Sequence, residues 1–332
     1  MAVAGRILVA LGLLLMAQQS LQLSTRHPLY STIQRINENA AFSFIAIFGT
    51  SENNEKAFFE SGYFVPSPYR PTLALAGRTI HIGSIGTANV LYATTGGSTI
   101  NAAVLTQAVL DAFSVRLIIN FGSAGAINNS ISIGDVVVPK RVAFTGNFNW
   151  LKYRTMETRV RGQLKIGDYN TPEKGENYLE GLDVNRVDVH KPSSNSTKTA
   201  FWLLFDSDLL AIANDIEVDL AQCVDSTCLH GKPKLVTGRS ASTADIYVDN
   251  YEYREHLFWE FKVSTVDTES AAILLAAKSN GVPSITIRGI TNTAGKPSDD
   301  SSAYYLGSTN AVLVVRAFLE KLPIPYLAMP NF

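Results

Sequence analysis

Charge of one sign is what this 332-residue chain most plainly lacks: 28 Lys and Arg stand against 29 Asp and Glu, a formal net charge of -1. That balance supplies neither a basic face for nucleic acid nor an acidic tail, and it argues against polyanion binding. Only two cysteines and five histidines are present, and no spacing among them supports a zinc site. Apolar runs stay short of the roughly 20 residues that a membrane span requires. No repeat at solenoid period is evident, and no linker rich in Pro, Ser or charge divides the chain. What remains is one α/β domain with a sizeable core, 46% of the residues being hydrophobic.

The amino terminus departs from the rest. Arg6 precedes an apolar run from Ile7 to Met16, followed by Ala17-Gln18-Gln19-Ser20. This reads as a cleaved secretory signal within residues 1–24, with a buried amino-terminal helix as the alternative, and leaves residues 25–332 as the folded domain. Two other features fit an oxidising, secretory compartment, whether the destination is extracellular or vacuolar. Cys223 and Cys228 enclose four residues and suit a disulfide closing a small surface loop, the other possibility being two buried thiols. Asn128 and Asn195 each open a glycosylation sequon.

The most informative stretch runs from Leu117 to Pro139, LIINFGSAGAINNSISIGDVVVP. Leu117 to Asn120 reads as a buried parallel strand that empties into a turn, Gly122-Ser123-Ala124-Gly125, where small residues let backbone approach a ligand; a Gly-rich connection in a packed sheet is the plainer reading. Asp135 to Val138 reads as a strand ending at Pro139. Phe44 to Phe48 is a short apolar strand ending in Gly49, Asn101 to Phe113 has helical spacing, Thr268 to Asn280 is a helix stopped by Gly281, and Ser284 to Ile290 is the next strand. Ala311 to Leu322 is a closing amphipathic helix. Strand and helix in alternation predict a mixed or parallel sheet with helices on both faces and ligands outside the carboxyl ends of the strands. Residues 147–198, polar and interrupted by Gly167, Pro172, Gly175 and Pro192, are expected to form an elaborated loop region.

GSAGA followed by IGDVVVP resembles the signature of the nucleoside phosphorylase and nucleosidase family, which holds purine nucleoside phosphorylases, uridine phosphorylases and methylthioadenosine nucleosidases. FSFIAIFGTSENNEKAFF (Phe42 to Phe59), TTGGSTINAA (Thr94 to Ala103) and VDTESAAILLAAKSNGVPSITIRGITNTAG (Val266 to Gly295) resemble further family segments, in family order. TGGSTINAA and the leader look most like the plant branch of bark storage and wound-inducible proteins. The resemblance implies a three-layer α/β/α fold around a central mixed, twisted sheet. It also implies a homo-oligomer, since relatives complete their sites with a neighbouring subunit's side chains.

Cleaving an N-glycosidic bond builds positive charge on the ribose and negative charge on the leaving base, so the site needs an anion near the sugar and a donor near the base. The resemblance places Glu269, with Thr268 beside it, against the ribose hydroxyls. It places Asn292 at the base, where many relatives carry Asp; an amide can donate to N7 but has no titrating proton. Phosphate, as co-substrate, is expected at Gly49, Thr50, Ser51, Thr95, Gly96, Gly97 and Ser123, and the base against Ala124, Gly125, Asp245, Ile246 and Tyr247. No other cofactor and no metal is expected. Two departures bear on the reaction: Asn54 stands where hydrolytic relatives activate water with Glu, and Asn120 where hexameric phosphorylases carry Arg. Arg70, His81 and Arg239 are the cations available elsewhere, and Arg288 reads as support for the turn. Phosphorolysis of purine-type ribosides to free base and ribose 1-phosphate is the leading expectation, against a nucleoside hydrolase or a storage protein that keeps the fold without turnover.

Overall fold

The computed structural model describes residues 24–41, 43–151, 164–165, 181–192, 194–296 and 302–323. The leader at 1–24 therefore lies, but for its last residue, outside the described residues. Eight strands position the site: β1 (Phe44–Gly49), β2 (Arg78–Ile85), β3 (Ala88–Thr94), β4 (Val115–Ala126), β5 (Val136–Phe144), β6 (Leu235–Thr243), β7 (Val263–Asp267) and β8 (Ser284–Thr293). Seven described helices accompany them: α1 (Tyr30–Asn39), α2 (Glu52–Glu60), α3 (Thr99–Ala112), α4 (Ser207–Asn214), α5 (Tyr251–Phe261), α6 (Ser270–Ser279) and α7 (Ser302–Lys321).

β1 shows why the sequence makes a three-layer structure. All six of its residues are buried, and alternate side chains face opposite ways. Ile45 and Ile47 join a core shared with Phe58 of α2, Leu209 of α4 and Val315 of α7. Phe44, Ala46 and Phe48 join a second core with Ile36 of α1, Leu105 of α3 and Ile273 of α6. A strand covered on both faces has no polar positions to alternate with, so it appears in sequence as a continuous apolar run. Each fully buried Ile or Phe contributes about 1.5–3 kcal/mol.

β4 is the hub of a mixed sheet. It pairs in parallel with β1 and β8 along its length, and its end pairs antiparallel with β7 through Thr265 opposite Ala126 and Val266 opposite Gly125. β8 pairs antiparallel with β5, β5 parallel with β6, and β6 parallel with β7. The five strands β4, β8, β5, β6 and β7 thus close into a ring, while β1, β3 and β2 extend the sheet away from it.

Three expectations change here. The small residues after Asn120 are not a turn: β4 continues through Gly122-Ser123-Ala124-Gly125, with β8 beside it in register from Ser284 opposite Ile118 to Ile290 opposite Ala124. Pro139 does not end its strand, because β5 runs through it to Phe144 and its partner β6 shifts register around Arg239; a strand accepts proline where the ladder is interrupted in this way. Between 147 and 198, the described residues form short antiparallel pairs, Phe148–Trp150 with Gly181–Val184 and Val187–Lys191 with Ser194–Ala200. Those described parts are more regular than the region's polar composition suggested.

Candidate active site

A cleft of about 670 Å3 opens at the end of the ring, walled by the carboxyl ends of β1, β4, β7 and β8 and the first residues of α2, α3 and α7. From β1 and α2 come Thr50, Ser51 and Asn53; from the start of α3, Gly97 and Ser98; from β4, Ser123, Ala124 and Gly125. Facing them are Ile246 and Tyr247, which follow β6, then Thr268 and Glu269 between β7 and α6, and Asn292 of β8. Segments as far apart in the sequence as Thr50 and Tyr304 therefore converge.

The first turn is organised by Asn54. This residue is fully buried, and its Oδ1 accepts from Thr50 N and Oγ1 (3.1 and 2.8 Å) and from Ser51 N and Oγ (3.0 Å each). Its Nδ2 donates to Ser308 Oγ of α7 at 2.7 Å. Every polar atom of that amide is committed below the turn. Asn53, one residue earlier, lines the cleft, and it too is an amide.

Beneath the opposite wall lies a chain of buried charges. Asp267 Oδ1 accepts from Thr243 Oγ1 (2.8 Å), Glu269 N (3.1 Å) and Ser270 N (2.9 Å), and thereby holds the amino end of α6. Arg288 is wholly buried. Its Nε lies 3.2 Å from Asp267 Oδ2, and its Nη2 donates to Asn120 Oδ1 at 2.6 Å and Ser270 Oγ at 2.8 Å. Its Nη1 is 3.3 Å from Glu269 Oε2, yet has no aligned hydrogen-bond acceptor. That contact is a charge attraction which leaves an N–H unspent. A methyl group on Gly122 would lie 2.7 Å from this Nη1 and 2.4 Å from Thr50 Oγ1, so glycine is required there to let the guanidinium and the hydroxyl approach.

Glu269, 3% exposed, accepts from Thr268 Oγ1. Burial pushes its carboxyl up to about 7, with Asp267 adding to the rise and Arg288 opposing it. Ser123 Oγ, on the cleft wall, is buried without a partner among the described residues, and the unsatisfied Arg288 N–H lies behind that wall beside Glu269. Asn292 sits at a break in register, where Ile290 opposes Ala124 and Asn292 opposes Gly125. The extra residue, Thr291, bends β8 and places two consecutive residues on the cleft wall. Ser98, at φ 106°, caps α3 from a conformation few non-glycine residues adopt.

The chain belongs to the phosphorylase superfamily. That family's model matches residues 44–320, which takes in every strand and helix of the ring and cleft. Bark storage protein B of Populus deltoides is 36% identical over 316 residues, covering 94% of this chain and 99% of that protein. The 5'-methylthioadenosine/S-adenosylhomocysteine nucleosidase of Treponema pallidum is 29% identical, covering 74% of this chain and 84% of its own. Among solved structures, the corresponding nucleosidase of Colwellia psychrerythraea, in complex with adenine, superposes with a TM-score of 0.59 at 20% identity over 84% of this chain and 96% of that one. The futalosine hydrolase of Helicobacter pylori gives 0.59 at 16%, over 85% and 99%. These likenesses carry the superfamily fold.

Not every phosphorylase-type assignment reaches the cleft. Gly49 lies behind it, its Cα hydrogen facing Tyr92, whose hydroxyl would be 2.6 Å from an added methyl. Thr95 is buried and donates to Gly49 O at 3.2 Å, and Gly96 supplies only the positive φ of the turn. Asp245 lines the cleft and accepts from Thr99 N (2.7 Å) and Thr99 Oγ1 (2.5 Å) at the amino end of α3, which latches the segment after β6. Arg70, His81 and Arg239 do not line the cleft. Tyr304 was missed: it lines the mouth, and its phenol is pushed up to about 12 by burial and by its contact with Tyr247. Nothing local in YYLGSTN marks it, whereas Arg288 was visible in RGITN and only its reach across β4 was hidden.

Proposed function

We propose that this cleft binds a purine-type nucleoside and transfers its ribose to phosphate, giving free base and ribose 1-phosphate. The observation that carries the reading is the pairing of unspent donors with the lack of a free base. Ser123 Oγ and Arg288 Nη1 have no acceptor, while the three carboxylates on the described lining, Asp245, Asp267 and Glu269, are each held by a hydrogen bond or ion pair. Arg288 supplies, from the neighbouring strand, the positive charge that Asn120 does not. An anion seated at Ser123, with the Arg288 charge behind the wall and the Thr50 and Ser51 hydroxyls turned to it from Asn54, is poised for attack at C1', and Glu269 accepts from the ribose hydroxyls as positive charge grows on the sugar. Asn292 donates its amide N–H to the departing base, and Ala124, Gly125, Ile246 and Tyr247 bound the space for a flat ring. The adenine held by the Colwellia relative fits a purine in that space.

A second reading has its own support. The bark storage proteins match almost end to end, and Asn54, Asn120 and Asn292 are neutral where charged catalytic groups would serve. Incubating purified protein with adenosine, inosine and guanosine separates the readings. Release of base that depends on phosphate supports phosphorolysis, release without phosphate supports hydrolysis, and silence with all three supports storage. Secretion through the leader, sugar on Asn128 or Asn195, and a homo-oligomer belong to the same proposal. The Cys223–Cys228 disulfide supports passage through an oxidising compartment.

A further inference from the structure

Behind the cleft lies a second concavity of about 590 Å3, on the other side of the end of β8. Thr293 lines it where Asn292 lines the cleft, and Ala303 lines it where Tyr304 does. Its described wall carries four cations, Arg254, Lys232, Lys234 and Lys296, and one carboxylate, Asp135. Asp135 is already spent, since Oδ2 accepts from Ser132 N at 3.0 Å and Oδ1 from Lys234 N at 2.9 Å. Lys232 meets Asp219 at 3.1 Å, but both side chains are mostly in solvent, where such a pair is weak. Arg254 is the deepest group, 1% exposed. Its Nη1 pairs with Glu255 at 2.9 Å and its Nη2 donates to Asn129 Oδ1 at 2.5 Å, while Nε has no partner among the described residues.

A buried guanidinium with an unsatisfied N–H, on a described wall whose four cations outnumber its one carboxylate, is an electrostatic deficit that a small oxyanion would fill. We propose that this cavity is a second anion site, taking inorganic phosphate or the phosphate group of a small phosphomonoester. The space exceeds that of phosphate alone and admits a short organic stem. The inference is independent of the reading of the cleft, because the two share no lining residue.

Hydrogen exchange on the full chain tests it, with inorganic phosphate or glycerol 3-phosphate added at constant ionic strength. Either anion is expected to protect peptides covering residues 229–235 and 250–256, and whichever acts alone identifies the ligand's source. In K234Q/K296Q, two exposed substitutions that leave the core intact, the concentration needed for that protection should rise about tenfold or more. Protection of residues 121–127, in the cleft, should not change. No protection at 229–235 and 250–256 with either anion, an equal effect from chloride alone, or a wild-type response in the double variant would overturn the site. Loss of protection confined to 121–127 would instead count against the cleft reading.

Discussion

Glu269 is a carboxylate asked to do two opposed things. It must be ionised to accept from both ribose hydroxyls, yet burial raises it from its ordinary 4.5 to about 7. For the proposed nucleoside cleavage, kcat/KM should therefore climb with pH below about 7 and level above it, a rise reporting the free enzyme. Stability should run the other way. The folded state holds the Glu269 proton more tightly than the unfolded state does, so this residue's contribution falls as pH rises from about 4.5 to about 7 and is fully lost above. Glu269→Gln should flatten both profiles, and a variant that keeps the activity rise would show that another group titrates there. Glu269→Ala should lower kcat/KM by on the order of tenfold to a hundredfold, the value of hydrogen bonds to a charged group, with circular dichroism unchanged. Asn292→Asp introduces a proton that can be delivered to the base. It should alter relative rates on 6-amino and 6-oxo purine nucleosides, and unaltered ratios would remove Asn292 from base recognition.

At the scale of elements, β4 is the strand on which site and fold depend together. Its run of small residues looked like a turn because glycine is commonest in turns, but here the cause is crowding from the sides: Thr50 Oγ1 and Arg288 Nη1 press on Gly122. Local sequence cannot distinguish these two demands, since the pressing atoms come from residues 50 and 288. The same limit hid the ring closure, because the pairing of Gly125 with Val266 leaves no periodic mark. What was legible was what local patterning writes: the all-apolar β1, the helical spacing of α3 and the glycine stop after α6. Gly122→Ala should consequently cost about 1–3 kcal/mol through overpacking, read as a lower midpoint in denaturant with an unchanged slope. Because the displaced groups are the proposed phosphate contacts, the KM for phosphate should rise more than that for nucleoside. A variant of wild-type stability would mean that Thr50 and Arg288 have room to withdraw.

Across the whole molecule, the cleft is assembled from residues 50 to 304, so occupying it ties the two ends of the domain together. Any ligand that binds only the folded chain stabilises it by mass action, about 2.7 kcal/mol at a hundred times its dissociation constant. In a chain of this size that is a rise in Tm of roughly a few degrees. This separates two questions that an activity assay merges, namely whether the site still binds and whether it still turns over. A scaffold kept only for storage has no need to preserve Gly122, the unspent Arg288 N–H or the buried Glu269, and it should melt at the same temperature with or without adenosine. The retained geometry predicts the opposite outcome. Adenosine should raise Tm by scanning calorimetry, phosphate should raise it further under matched ionic strength, and Glu269→Ala should abolish the adenosine increment while leaving most of the phosphate one. If nucleoside leaves Tm unmoved in the wild type at millimolar concentration, the converged residues form a hollow that no longer recognises ribose.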